Sequence, residues 1–205
     1  MRKLVFATKN AGKMREIREI LKDLPIEILS MKEAGIDMEI TEDGTTFEEN
    51  ALIKARAVWK AYTLEHPGEQ ITVLADDSGL EVDALNKEPG IYSARYLGEE
   101  TPYSVKNASI IERLNGVEGA GRSARFVCAI AAVLPDGCEK CVLRTMEGVI
   151  GYREEGDGGF GYDPIFILPK YGCTTASLTM EQKNEESHRG KALRAMKEEL
   201  KANLN

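Results

Sequence analysis

The chain has 205 residues, of which 42% are hydrophobic and 30% are charged, and its formal net charge at pH 7 is −7. This composition is typical of a globular protein and argues against disorder and against a generally basic nucleic-acid-binding protein. No apolar run approaches the length of a membrane span, and the apolar stretch at residues 4–7 is too short for a signal peptide. We therefore expect a cytoplasmic protein that binds neither membranes nor nucleic acid.

The first part of the chain predicts strands followed by helices. An apolar run at residues 4–7 enters a polar turn, which indicates a strand, and apolar residues at helical spacing from Met14 predict a helix that stops at Pro25. A second strand is expected at residues 27–29, before a loop. Thr46 and Glu49 then fit a capping box, which predicts a second helix with Thr46 as its N-cap.

Polar residues interrupt the apolar pattern in the middle of the chain. Residues 71–75 read as a continuous apolar strand, which we expect to end at Asp76-Asp77-Ser78-Gly79, with a separate strand over residues 80–82. The remaining elements are expected in this order: a helix over 104–114, a hairpin of strands 126–134 and 141–150 that turns at 135–137, a strand over 166–168, and a helix over 188–203.

Strands and helices alternate only in part, and one long hairpin is present. The fold class is therefore α/β, or mixed α+β, with a central mixed β-sheet flanked by helices. The length favours a single domain over residues 1–205.

Two nucleotide-binding motifs are matched only in part. Gly12-Lys13 resembles the end of a P-loop, but that motif needs glycine and a hydroxyl residue where the chain has Ala7 and Met14. The glycines at 156, 158 and 161 fit G-x-G-x-x-G, but Pro164 and an apolar run follow them, whereas the dinucleotide fingerprint opens a helix. The sequence therefore favours neither a P-loop nor a dinucleotide site.

A lone C-x-x-C pair, Cys138 and Cys141, suggests a metal or redox site at first sight. The chain has no second pair, and a spacing of three within a strand directs side chains to opposite faces. We interpret both cysteines as small buried or strand residues.

Three other segments carry polar chemistry. Thr8, Asn10 and Lys13 lie where a strand passes into a helix, where backbone N–H groups and a lysine attract anions, although a plain helix cap fits equally well. Asp76 and Asp77 could ligate Mg²⁺ and activate water, or could simply cap a turn. Because side chains alternate along a strand, only one of the two aspartates can face a given site.

The third segment combines glycines with aromatic residues. Residues 158–164 contain three glycines, Phe160, Tyr162 and Asp163, so that backbone could approach a ligand and an aromatic ring could stack on a planar base. Residues 183–190 concentrate hydrogen-bond donors before the last helix. Taken together, the segments form the inventory of an enzyme that acts on a Mg²⁺-bound nucleotide.

These segments resemble the inosine/xanthosine triphosphate pyrophosphatase family (XTP/dITP diphosphatases), whose members hydrolyse deaminated purine nucleoside triphosphates. The resemblance covers nearly the whole chain, because six segments match in family order. They are Phe6-Ala7-Thr8-Lys9-Asn10-Ala11-Gly12-Lys13, Phe47-Glu48-Glu49-Asn50-Ala51, Leu74-Ala75-Asp76-Asp77-Ser78-Gly79-Leu80, Pro89-Gly90-Ile91-Tyr92-Ser93-Ala94-Arg95-Tyr96, Gly159-Phe160-Gly161-Tyr162-Asp163-Pro164 and Ser187-His188-Arg189-Gly190.

The resemblance implies an elongated mixed sheet in two lobes around a nucleotide cleft, and a homodimer. It implies Asp77 as the catalytic proton acceptor and a Mg²⁺ ligand, with Glu42 as the second ligand and Glu49 as the alternative. It also implies a set of substrate-binding residues: Thr8, Lys9, Asn10, Ala11, Gly12 and Lys13 for the triphosphate, Ser78, and Phe160, Gly161, Tyr162, Asp163, Lys183, His188 and Arg189 around the base.

The expected function is Mg²⁺-dependent hydrolysis of ITP, dITP and XTP to the monophosphate and pyrophosphate. One rival is a related pyrophosphatase for modified pyrimidine nucleotides, against which the donors at 183–189 argue. The other is a nucleotide-binding sensor without turnover, which would not need an aspartate at position 77.

Overall fold

The structure is a computed structural model that describes residues 2–204, with side chains described as far as Lys201. Its strands are β1 (Arg2–Phe6), β2 (Ile26–Ser30), β3 (Ile71–Val82), β4 (Ser123–Val133), β5 (Glu139–Ile150), β6 (Phe166–Leu168) and β7 (Cys173–Thr174). Its helices are α1 (Ala11–Leu21), α2 (Phe47–Glu65), α3 (Tyr103–Arg113), α4 (Met180–Glu186) and α5 (His188–Leu204).

All seven described strands belong to one sheet, in the order β2-β1-β3-β4-β5-β6-β7. Strand β1 pairs in parallel with β2 and β3, whereas β6 pairs antiparallel with β5 and β7. The sheet is therefore mixed, which confirms the predicted fold class. No helix in the described part of the chain is long and apolar enough to cross a bilayer.

Two compact units share these strands. The first unit comprises the chain up to Asp77, residues 128–144 and the chain from Arg189 onward; the second comprises residues 78–127 and 145–188. In the first unit, apolar residues of α1 and α5 pack with β1, β3 and β4. In the second unit, α3 packs with the later part of β3, the early part of β4, β5 and β6. Each unit thus has its own hydrophobic core.

The predicted break at residues 76–79 was wrong, because β3 runs unbroken from Ile71 to Val82. Two adjacent aspartates disfavour a strand when they are solvated or unpaired. Here Asp76 is buried against basic side chains and Asp77 accepts a hydrogen bond, so the strand continues through both. The aspartates therefore lie in the middle of a strand and not at a sheet edge.

The other predicted elements are confirmed with shifts of a few residues at their ends. Thr46 caps α2 by accepting from Glu49 N at 3.1 Å, as predicted. The Glu49 carboxylate accepts from the N–H and hydroxyl of Thr45, one residue before the cap. Helix α4 was missed, although Thr179 and Gln182 form a complete capping box at its start.

Candidate functional site

The turn between β1 and α1 is held by its own polar side chains. Asn10 is the N-cap of α1, and its Oδ1 accepts from the N–H groups of Gly12 and Lys13 at 2.8 and 3.1 Å. Thr8 Oγ1 accepts from Asn10 N at 3.1 Å. These bonds fix the turn and satisfy two of the free N–H groups that begin a helix.

A cavity of about 700 Å³ lies beside this turn, within the first unit. Four basic residues line it, and only two acidic ones. The lining residues are Thr8, Lys9, Ala11, Met14, Arg15, Arg18, Ser30, Lys32, Glu33, Gly35, Ile36 and Asp37. Arg18 and Lys9 are paired with Glu33 and Asp37, so the excess positive charge comes from Arg15 and Lys32. Sequence reasoning singled out neither of these residues, because each reads as an ordinary solvated side chain.

Asp76 is the centre of a buried charge cluster. Its carboxylate is 2% exposed and binds Lys13 Nζ at 2.9 and 3.1 Å and Arg189 Nε at 3.3 Å. Arg189 also reaches Glu16 Oε2 at 3.3 Å. Burial alone would raise the pKa of Asp76, but the charges of Lys13, Arg189 and Lys54 outweigh it and hold that pKa well below its usual range. Asp76 is therefore a permanent anion that orients two cations.

Asp77 faces a different set of partners. Asn50 Nδ2 donates to its Oδ2 at 3.1 Å, and Lys54 Nζ lies 3.9 Å from its Oδ1. Both partners belong to α2, whereas Asp76 contacts α1 and α5. The strand's alternation thus separates the two carboxylates, as predicted.

Lys54 joins Asp77 to Glu42. Its Nζ lies 2.8 Å from Glu42 Oε2, so one ammonium group bridges two carboxylates from separate segments. The carboxylate of Glu49, the alternative second Mg²⁺ ligand, accepts hydrogen bonds from Thr45 instead. Sequence reasoning missed Lys54 and assigned no role to Asn50. The signal available was their spacing of four in one helix, which directs both side chains to one face.

The chemistry of this carboxylate pair fits a magnesium ion. Mg²⁺ is commonly held by one or two carboxylates together with water and substrate phosphates. Asp77 and Glu42 supply two carboxylates, and the position between them attracts a cation. Among the described residues, no group of three or more potential ligand side chains is present, so this pair is the candidate set.

The pKa of Asp77 is raised to about 6. Burial is the main cause, and the negative charges of Glu42 and Asp76 add to it, against the opposing effects of Lys54 and Asn50. A carboxyl group with a pKa near neutrality can exchange a proton with water at physiological pH. Asp77 thus combines the properties of a cation ligand and a proton acceptor.

The second unit carries the glycine-rich loop, which Asp163 holds in place. The buried carboxylate of Asp163 accepts from Phe160 N at 2.8 Å, from Thr175 Oγ1 at 2.8 Å and from Lys183 Nζ. Gly159 has a φ of +75°, and a Cβ there would overlap the Asp163 carboxylate. Glycine is therefore required at 159 on both conformational and steric grounds.

Phe160 is the aromatic ring that this loop presents. It is 65% exposed, and the Lys183 ammonium lies 5.0 Å from its ring centroid. An exposed ring beside a cation can stack on a planar base while the ammonium donates to an acceptor on that base. Phe160, Lys183 and Asp163 are thus brought together as predicted.

Tyr162 is buried and packed within the second unit. Its ring is buried, packs edge-on against Tyr103 with centroids 5.2 Å apart, and its hydroxyl donates to Ser93 O at 2.7 Å. Burial raises the pKa of Tyr162, so the hydroxyl remains a donor. Gly161, with φ +68°, lies between the exposed ring and the buried one.

The remaining predicted site residues lie in separate environments. His188 begins α5 and stacks on Phe126, with centroids 5.0 Å apart and planes at 12°. Ser78 follows Asp77 directly in β3 and is partly buried. Arg189, predicted beside the base, directs its guanidinium at Asp76 in the first unit.

Cys138 and Cys141 are exposed and not buried, although Cys141 is a strand residue, which was the other expectation. Cys138 lies in the hairpin turn and Cys141 in β5. Hydrogen bonding to Asp136 raises the pKa of Cys138, and the partial burial of its sulfur raises the pKa of Cys141 to about 11. Both thiols are therefore poor nucleophiles at neutral pH.

Comparison with known proteins identifies the family of this chain. The Ham1 family profile matches residues 4–199. A dITP/XTP pyrophosphatase of Clostridium perfringens is 48% identical over 205 residues and covers 100% of both chains. A dITP/XTP pyrophosphatase of Bacillus subtilis is 43% identical over 202 residues, with 98% of each chain covered.

Solved structures give the same result. A HAM1 protein from Coxiella burnetii matches with a TM-score of 0.88 at 38% identity, over 98% of this chain and 100% of that one. The Ham1 protein of Staphylococcus aureus matches with the same TM-score at 40% identity and the same coverage. Sequence and fold therefore agree over almost the whole length, and the chain belongs to the Ham1 family.

Proposed function

We propose that this protein is a nucleoside triphosphate pyrophosphohydrolase that converts dITP, ITP and XTP to the monophosphate and pyrophosphate, with Mg²⁺ as cofactor. The observation that carries the proposal is the convergence of Asp77 and Glu42 on one ammonium group. Support also comes from the relatives named as dITP/XTP pyrophosphatases, which share more than two-fifths of their residues with this chain.

The reaction adds water at the α-phosphorus and breaks the bond to the β-phosphate, so that pyrophosphate leaves. Asp77 takes the proton of the attacking water, since its raised pKa suits it to that exchange. Lys54 balances the charge of Asp77 and Glu42 before substrate arrives. Bound Mg²⁺, held by Asp77 and Glu42, would neutralise charge on the phosphates and on the leaving group.

The cations of the first unit offset the protein's net negative charge at the triphosphate. Lys13 and Arg189 are kept in place by Asp76, so they do not need to be ordered when substrate binds. Lys9, Arg15 and Lys32 line the neighbouring cavity and raise its positive potential. We assign the triphosphate to these residues and to the turn that contains Thr8, Asn10, Ala11 and Gly12.

The loop of the second unit recognises the base. Phe160 stacks on the purine and Lys183 donates to O6, which hypoxanthine and xanthine carry and adenine replaces with an amine. We also assign His188, which stacks on Phe126, and Tyr162, which is anchored to Ser93, to the base, as the family resemblance implies. Guanine also has O6, so its exclusion depends on the 2-amino group, which loses hydrogen bonds if no acceptor meets it.

The test is pyrophosphate release from a panel of nucleoside triphosphates, with and without Mg²⁺. We expect kcat/KM for dITP, ITP and XTP to exceed that for ATP and GTP by at least about 10²-fold. Release of phosphate instead of pyrophosphate would contradict the site of cleavage. Comparable kcat/KM for dGTP and dITP would contradict the base assignment, and binding without turnover would favour the sensor.

The proposal extends to a homodimer in the cytoplasm. The family resemblance supports the dimer, and the intracellular supply of nucleoside triphosphates supports the location. Light scattering at micromolar concentration and fractionation of cells that express the protein test these two statements.

A further inference from the structure

Three consecutive residues of the glycine-rich loop are each held by a different neighbour. Asp163 binds the N–H of Phe160 at 2.8 Å, and Ser93 O accepts from the Tyr162 hydroxyl at 2.7 Å. Between them, the carbonyl of Gly161 accepts from Asn107 Nδ2 at 3.2 Å. Through Asn107, helix α3 is therefore hydrogen-bonded to the segment that carries Phe160.

Asn107 uses both donor hydrogens of its amide. Nδ2 also donates to Glu154 Oε1 at 2.7 Å, so two acceptors fix the orientation of the amide group. The residue is 1% exposed, and its Oδ1 is buried with no donor partner among the described residues. A buried acceptor without a partner disfavours folding, so the stability of the fold alone does not explain an asparagine at this position.

The carbonyl of Gly161, which Asn107 engages, is an acceptor that could affect which base is bound. A backbone carbonyl is a strong hydrogen-bond acceptor. Guanine and adenine carry exocyclic amines that seek such an acceptor, whereas hypoxanthine and xanthine carry none. Because Lys183 is assigned to the 6-position of the base, a Gly161 carbonyl free to turn would favour guanine through its 2-amino group.

We propose that Asn107 is a specificity-determining positioning residue, which holds the Gly161 carbonyl on α3 and so withholds an acceptor from the exocyclic 2-amino group of guanine. This inference rests on the proposed function, because it requires the loop at 158–163 to bind the base. Asn107 acts through the loop backbone and does not itself contact the substrate.

The experiment compares Asn107→Leu with the wild-type enzyme. Leucine keeps the branching of asparagine at Cγ, cannot donate, and removes the unpartnered Oδ1. We expect kcat/KM for dGTP to rise relative to dITP by about tenfold, mainly through a lower KM for dGTP, while kcat for dITP stays within about twofold. Asn107→Ala, which removes the amide without adding bulk and cannot donate, provides a second variant if the first does not fold.

Two controls separate positioning from general loosening of the fold. Ile110→Val, one turn further along α3 in the core of the second unit, should lower the melting temperature and leave the dITP/dGTP ratio unchanged. Glu154→Gln keeps an acceptor for Asn107 Nδ2 and should also leave the ratio unchanged.

Amide hydrogen exchange supplies a readout that needs no substrate. Exchange in the peptide that covers residues 158–163 should accelerate in Asn107→Leu and not in Ile110→Val. Unchanged exchange, or a dITP/dGTP ratio within about twofold of wild type in both folded Asn107 variants, overturns the inference. A wild-type enzyme without preference for dITP overturns the proposed function instead, and the exchange result still decides whether Asn107 holds the loop.

Discussion

The carboxylate cluster of the first unit and the glycine-rich loop of the second are built by different physical means. The cluster depends on charge: Asp76 and Asp77 are buried in a strand, and the balance among their basic partners decides which stays ionised. The loop depends on backbone conformation, with glycines at positive φ and hydrogen bonds to main-chain atoms. A site for multiply charged phosphate requires the first kind of construction, and a site for a flat neutral base requires the second.

The difference predicts that substitutions that remove a charge damage the first region most. We expect Asp77→Asn to lower kcat/KM for dITP by about 10²–10³-fold, because it removes the proton acceptor. The same change should raise the free energy of unfolding without Mg²⁺ by about 1–3 kcal/mol at pH 7.5. The folded pKa lies above the unfolded one, so ionisation of Asp77 destabilises the fold increasingly as pH rises from about 4 to about 6, and the loss levels off above that. A pyrophosphate assay and a thermal melt check both effects, and a loss below about tenfold would contradict the assignment.

Asp76→Asn should have the opposite effect on the free energy of unfolding. The folded pKa of Asp76 is depressed, so its charge stabilises the fold above the pKa of the unfolded state. Removing that charge leaves Lys13 and Arg189 uncompensated and should lower the free energy of unfolding by about 2–4 kcal/mol. Chemical denaturation at pH 7.5 measures the loss. Equal stability of the two variants would show that both aspartates have one role.

In the loop, substitutions should act through conformation. Gly159→Ala introduces a side chain at φ +75° and displaces the Asp163 carboxylate, which should raise KM for dITP by about 10–30-fold. Gly137→Ala is the matched control, because Gly137 has φ +82° and open space around it. That control should lose about 1 kcal/mol of stability and keep its KM. A normal KM in Gly159→Ala would remove the loop from the site.

Phe160→Ala tests the exposed ring itself. Loss of stacking should raise KM by about tenfold for all purine triphosphates alike, because every purine offers a flat face. Met180→Ala is a suitable control, since Met180 belongs to the same unit and is 74% exposed. Neither variant should change the melting temperature by more than about 1–2 °C. Equal effects of the two substitutions on KM would rule out a stacking role for Phe160.

The smallest expected effect is a displacement of the pH profile. Activity should fall as pH drops below about 6, because Asp77 becomes protonated and loses its acceptor function. Metal and proton compete for one carboxylate, so a tenfold increase in Mg²⁺ should move this acid limb to lower pH by up to about one unit. An acid limb that does not shift with the Mg²⁺ concentration would show that the titrating group is not a metal ligand.

Sequence reasoning succeeded where local chemistry determines structure. The turn after β1, the cap at Thr46 and the hairpin at Pro135 follow from residue types that favour those conformations. It failed at Asp76, because the burial of an acidic residue depends on cations that lie 63 and 113 positions away. Such partners are brought together only by the fold, and no local pattern identifies them.

The site itself was predicted unevenly for the same reason. Asp77, Phe160 and Asp163 belong to short motifs that a single sequence displays. Lys54 and Asn107 are each one polar residue on a helix, and only the tertiary structure reveals what they touch. Residues that act on neighbours within the protein leave a weaker sequence signal than residues that form the motifs.

The unbroken strand β3 also makes this protein sensitive to chain length. Side chains alternate along a strand, so deletion of one residue between Ile71 and Ala75 would turn each aspartate toward the partners of the other. Asp77 would then take the position beside Lys13, and Asp76 would move to the face that carries Asn50, two residues before the position that Asp77 had held. The number of residues in this segment therefore determines which carboxylate can be protonated and which only orients its basic neighbours. Insertions in this segment are strictly limited for that reason. The long loop before α2 has no such limit.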